Sequence, residues 1–126
     1  LWRKSFLCGV IPTGRKSQRK GADGERELAA LLREYGYPVE RGGSLSFGEV
    51  PDLTGLPGVH IECKRVERLN LLDAVLQAVR DAAEGLLPAV FHRRDRCEWL
   101  VTMRLGDWIQ IFKDAQAWRE LKEKEG

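Results

Sequence analysis

Three side chains could do chemistry together: Asp52, Glu62 and Lys64. Glu62 and Lys64 sit two residues apart in Ile61-Glu62-Cys63-Lys64. A β-strand repeats its side-chain direction every second residue, so both project from one face, roughly 6–7 Å apart along the chain. Asp52 lies upstream in Pro51-Asp52, beyond the Gly55 to Gly58 turn. If the two stretches pair as a hairpin, Asp52 comes beside Glu62. Two carboxylates and an amine suit phosphodiester hydrolysis. Such a reaction needs a cation to neutralise phosphate charge, an activated water, and a group to stabilise the charge that develops. Mg²⁺, with Mn²⁺ as a substitute, takes oxygen ligands, which Asp52, Glu62 and the backbone carbonyl of Cys63 could provide. Glu25 is a third acid, in line with the apolar residues Leu28 and Leu32. A carboxylate there is costly unless paired or metal-bound.

Each part also has a plainer reading. An E-x-K on a strand is most often a solvent-facing alternation. Pro51-Asp52 alone is a common turn. Glu25 alone could be a first-turn acid favoured by the helix dipole. The conjunction, in this order, carries the expectation.

The elements that must position these residues follow from periodicity. A helix is expected from Asp23, as N-cap, to about Tyr35, with Leu28, Leu31, Leu32 and Tyr35 on its apolar side and Gly36 as its stop. Tyr37 to Arg41 forms a first strand, broken by Gly42-Gly43-Ser44. A second strand begins near Val50 and includes Asp52 and Leu53. The third is Val59 to Val66, with Val59, Ile61 and Cys63 on one face and His60, Glu62 and Lys64 on the other. Asn70 caps a second helix running to about Glu84, with Gly85 after it. Pro88 to His92 and Trp99 to Met103 form a hairpin around the basic Arg93 to Arg96 stretch. A last helix begins at Gly106-Asp107, with Trp108, Ile111, Phe112, Ala115 and Trp118 on one face. The order is α-β-β-β-α-β-β-α, which a mixed sheet flanked by helices satisfies economically.

A chain of 126 residues, 43% hydrophobic, suits one globular domain. We expect it at residues 21–126, after a basic, flexible arm at residues 1–20. The arm holds Arg3, Lys4, Arg15, Lys16, Arg19 and Lys20 and no acid, against a net charge of +2 for the whole chain. A basic arm ahead of a mildly acidic body can hold a polyanion or can simply be a solvated tail. The three cysteines are widely spaced, with no C-x-x-C pair. That argues against a disulfide scaffold and a structural zinc site, and for buried or free thiols in a reducing cytosol. No apolar run approaches the length of a membrane span.

The stretch Lys20-Gly21-Ala22-Asp23-Gly24-Glu25-Arg26-Glu27-Leu28, then Pro51-Asp52 and Ile61-Glu62-Cys63-Lys64, resembles the archaeal-type Holliday junction resolvases. These belong to the PD-(D/E)xK, restriction-endonuclease-like nucleases. The resemblance covers roughly residues 19–65. It implies a restriction-endonuclease-like α/β fold and a metal-dependent, structure-selective DNA endonuclease of the cytoplasm, bacterial, archaeal or phage-encoded. It also implies cleavage leaving 5′-phosphate and 3′-hydroxyl, and a homodimer acting on branched DNA. A non-catalytic DNA-binding module, or a restriction-type or exonuclease relative acting on linear DNA, are the rival readings. Carried over, Glu25, Asp52 and Glu62 are metal-site acids and Lys64 is the catalytic lysine. Ser44, with Ser46 as its competitor for the position, would lie near the scissile phosphate. Gln77 matches a helix glutamine that touches the site in several such nucleases, although it also fits a polar helix face with Asp73 and Arg80. Arg15, Lys16, Arg19, Lys20, Arg41 and Arg65 are the candidate nucleic-acid contacts. Arg93, Arg94 and Arg96 are either a phosphate grip or a solvated hairpin tip, and Trp108 and Trp118 suit core or dimer packing.

Overall fold

The computed structural model describes residues 20–42 and 53–126. Residues 1–19 of the arm expected at residues 1–20, Ser44, the start of the second strand and Asp52 lie outside the described residues, whereas Lys20 already belongs to α1. The elements in chain order are α1 (Lys20–Glu34), β1 (Glu40–Arg41), β2 (Leu53–Thr54), β3 (Val59–Arg65), α2 (Leu71–Asp81), β4 (Leu87–Arg93), β5 (Leu100–Thr102) and α3 (Leu105–Glu125). The strands form one sheet in the order β1-β2-β3-β4-β5. Neighbouring strands are antiparallel except β3 and β4, which run parallel with α2 as their crossover. A parallel pair needs such a connection, whereas antiparallel neighbours can be joined by short turns.

The alternation along β3 splits the core in two. Ile61, Val59 and Cys63 join Leu28 and Ala29 of α1, with Val39, Leu53, Ala89 and Phe91, on one face. Val90 packs against Ala74 and Ala78 of α2 on the other. Each helix therefore covers one face of the central β3–β4 pair, and the apolar period of each sequence matches the element it forms.

Several boundaries differ from expectation, for local reasons. Helix α1 starts at Lys20, so Asp23 is not its N-cap. Asp23 lies in the first turn, where its carboxylate accepts from Arg26 at 3.0 Å. Gly36, at φ 99°, ends the helix as expected. Strand β1 is shorter than Tyr37 to Arg41. The Val39 N–H bonds back to the Tyr37 carbonyl at 2.8 Å, closing a tight turn around Pro38 before the ladder can begin. Helix α2 ends at Asp81, and Ala82 is already extended. Gly85, at φ 88°, belongs to the following turn. The Asn70 cap is as expected, its side chain accepting from the Asp73 N–H at 3.1 Å. Helix α3 lies outside the core, with no buried residue along its length.

Candidate active site

Strand β3 sets His60, Glu62 and Lys64 in a row on the face that α2 covers. Glu62 is only 5% exposed. Its Oε2 lies 3.5 Å from Lys64 Nζ and its Oε1 lies 3.5 Å from His60 Nε2. Among the described residues the carboxylate has no nearer polar partner. Lys64 Nζ donates to Gln77 Oε1 at 3.2 Å. That contact follows from the fold. Asn70 starts α2 just past β3, and the small Ala74 and Ala78 let the helix sit close against Val90. Gln77, on the same helix, then reaches the amine. The result is a line of imidazole, carboxylate, ammonium and amide across one sheet face. Gln77 thus belongs to this line rather than to a solvated polar face.

Glu25 does not join that line among the described residues. Its Oε1 accepts from Arg41 Nε at 3.0 Å, tying α1 to β1. Arg41, a candidate DNA contact, is engaged by that pair. No group of three His, Cys, Asp or Glu side chains among the described residues is placed to hold a metal together. Leu53, the residue after Asp52, has Ile61, the residue before Glu62, as its partner across the β2–β3 ladder. Lys20 opens α1. Ser44, Asp52, Arg15, Lys16 and Arg19 lie outside the described residues.

Arg65 is also engaged. It sits beside Arg93 in the β3–β4 register, on the face that α1 covers. Arg65 reaches Glu27 Oε2 at 3.5 Å and Asp95 Oδ1 at 3.1 Å, while Arg93 donates to Glu27 Oε1. Trp99 Nε1 adds a hydrogen bond to the same Glu27 oxygen at 3.0 Å. Glu27 was not singled out by sequence. Its signal was two arginines at matched positions of adjacent strands, both needing an acid from the covering helix. His60, which shares the face of Glu62 and Lys64, could contact phosphate or cap the sheet on sequence grounds. It is 3% exposed, and neither ring nitrogen has a hydrogen-bond partner among the described residues.

Cys63 is half-buried and in no disulfide. Cys97 is disulfide-bonded, which corrects the expectation of unpaired thiols. His92 Nε2 lies 2.9 Å from Thr102 Oγ1, and burial holds its imidazole below the ordinary histidine range. No helix among the described residues is long and apolar enough to cross a membrane.

The donor chemistry at Glu62 fits a hard cation. It is a buried carboxylate oxygen pair whose charge is offset by one ammonium at 3.5 Å and by no close hydrogen bond among the described residues. A mixed five-stranded sheet with α1 and α2 on opposite faces, and an E-x-K row on the strand after a hairpin, defines a restriction-endonuclease-like α/β fold of the PD-(D/E)xK nuclease type. The sequence places it more narrowly. The model of the archaeal Holliday junction resolvase (Hjc) family matches residues 16–121, and the chain belongs to that family. No curated protein matches the chain significantly.

Proposed function

We propose that this protein is a Mg²⁺-dependent endonuclease that cuts branched DNA, with Glu62, Asp52 and Lys64 as its centre and a homodimer as its working form. The observation that carries this reading is the buried Glu62 carboxylate beside the Lys64 ammonium on one strand face, in a chain of the resolvase family. Glu62, Asp52 and the Cys63 carbonyl would hold the cation; Glu25, paired with Arg41, would have to leave that ion pair to complete the acid set. Mn²⁺ would serve in place of Mg²⁺. When bound, the cation supplies charge neutralisation at the phosphate and lowers the pKa of water.

The chain's own groups do the rest. Lys64 offers a positive charge where negative charge develops on the phosphate, and Gln77 fixes the direction of that amine through its amide oxygen. Ser44 would contact the scissile phosphate. The basic residues Arg15, Lys16, Arg19 and Lys20 would hold the backbone electrostatically, which positions DNA without reading its sequence. One chain offers one such centre, so paired cuts in two strands call for two copies.

The test is cleavage of a labelled four-way junction in Mg²⁺ and in EDTA by wild type, Asp52→Asn and Lys64→Ala. Loss of a group acting mainly in the transition state costs on the order of 10²–10³ in rate. Full cleavage by either purified variant, or undiminished cleavage in EDTA, rejects the assignment. Flap, linear duplex and single-stranded substrates in the same panel separate junction cutting from action on linear DNA.

A further inference from the structure

A cavity of about 420 Å³ opens at the carboxyl ends of β3 and β4, between the start of α2 and the β4–β5 turn. This is the end of a parallel strand pair at which open α/β sheets tend to bind ligands. Val66, Leu69 and Leu71 give its lining an apolar part, and Glu67, Arg68 and Arg94 a charged one. Of the acids nearby, Glu67 keeps its charge and offsets one guanidinium of the rim, while Glu27 is taken up by arginines. Glu67 Oε2 accepts from the Asp95 N–H at 3.0 Å, and Glu27 is held by Arg93, Arg65 and Trp99. Arg68 and Arg94 are exposed and have no acidic partner among the described residues. His92, also in the lining, stays uncharged at neutral pH because burial lowers its pKa, so the surplus charge comes from the two guanidinium groups.

The location ties this crevice to the candidate active site. His92 is the register partner of Lys64 in the parallel β3–β4 ladder. Side chains aligned in that way project from the same sheet face, one strand spacing apart, about 5 Å. The crevice therefore begins one strand beyond the catalytic amine and extends away from it past the end of the sheet.

We propose that this crevice binds a phosphodiester group of the same DNA strand system that is cut at Glu62 and Lys64, with Arg68 and Arg94 as its two ligands. This rests on the nuclease reading above. Guanidinium groups bind phosphate oxygens in a planar, bidentate fashion, and a pair on one rim can grip one phosphate from two sides. The contact positions the duplex and carries no sequence information.

The experiment measures equilibrium binding of the full chain to a four-way junction and to a linear duplex in Ca²⁺, across a salt series. Wild type is compared with Arg68→Ala/Arg94→Ala and with Arg68→Lys/Arg94→Lys. Both side chains are exposed, so neither substitution removes core contacts. One lost phosphate contact reduces the slope of log affinity against log salt by about 0.9. Over a fourfold rise in salt, wild type then loses about 3.5-fold more affinity than the alanine pair. We expect that difference on both substrates, and a lysine pair that keeps the wild-type slope. An alanine pair with wild-type affinity and slope overturns the proposal, including the case in which the crevice serves an acidic peptide instead. The nuclease reading fails separately, by cleavage surviving Asp52→Asn, and that result leaves the salt slope to be judged on binding alone.

Discussion

His60 is the residue whose chemistry is least expected in its place. A ring with both nitrogens buried and unpartnered among the described residues contributes less stability than an apolar side chain of its size, because each lost water contact goes uncompensated. His60→Leu is therefore expected to leave unfolding free energy within about 1 kcal/mol of wild type, or slightly above it. A urea titration showing a loss above roughly 2 kcal/mol would mean that the ring makes a hydrogen bond in solution, with Glu62 Oε1 at 3.5 Å as the partner in reach. His92 gives the complementary pH argument. Its folded pKa lies below the usual 6.5 because burial disfavours the imidazolium. The unfolded chain therefore binds the proton first as pH falls. Stability is fully present above about 6.5 and declines as pH drops from there through the lowered folded value. His92→Asn should flatten that decline in melting curves taken between roughly pH 7.5 and pH 5. An unchanged pH profile in the variant would assign the decline to other groups.

At the scale of elements, the close approach of α1 to β3 depends on Gly24. A Cβ built there would lie 2.6 Å from the Arg65 Cβ. In an open helix Gly→Ala gains about 1 kcal/mol of propensity. Here overpacking costs about 1–3 kcal/mol, because the obstacle is the base of a side chain rather than its flexible end. Gly24→Ala is expected to lower stability by about 1 kcal/mol in chemical denaturation, and a stabilised variant would show that α1 has room to shift. The two faces of β3, the cap at Asn70 and the β4–β5 hairpin were all readable, because each depends on periodicity or a local bond. The start of α1 at Lys20 and the late onset of β1 after Pro38 were not, because no apolar period marks either boundary. For the candidate site, Glu62 and Lys64 could be placed on one face from period alone. The Glu25–Arg41 pair, the Glu27 cluster with Arg65 and Arg93, and the choice of Gln77 for Lys64 depend on which helix lies over which strand. That is a tertiary fact with no local signature.

At the scale of the whole molecule, α3 is the part that the monomer leaves unexplained. Trp108, Phe112 and Trp118 are 48%, 47% and 58% exposed, and no residue of the helix is buried. Trp108 and Phe112 stack on each other with centroids 5.3 Å apart, so the stripe is ordered by its own contacts. Exposed apolar surface of this kind suits an association face. We propose a second copy as its occupant, in keeping with the dimer reading. Two α3 helices packed antiparallel about Lys113 set Trp108 against the partner's Trp118 and Ile111 against the partner's smaller Ala115. A two-fold contact of that kind is self-complementary, as an isologous interface requires. It would also give the paired active centres that cutting two strands of a junction needs. Trp118→Glu should then convert the protein to a monomer in sedimentation analysis while leaving its circular dichroism unchanged, since the side chain supports no core contact within one chain. Junction cleavage by that variant should yield single nicks in place of paired cuts, with nicking rates near those of wild type. A variant that remains dimeric, or a wild-type chain that sediments as a monomer at micromolar concentration, would place the second copy elsewhere or remove it.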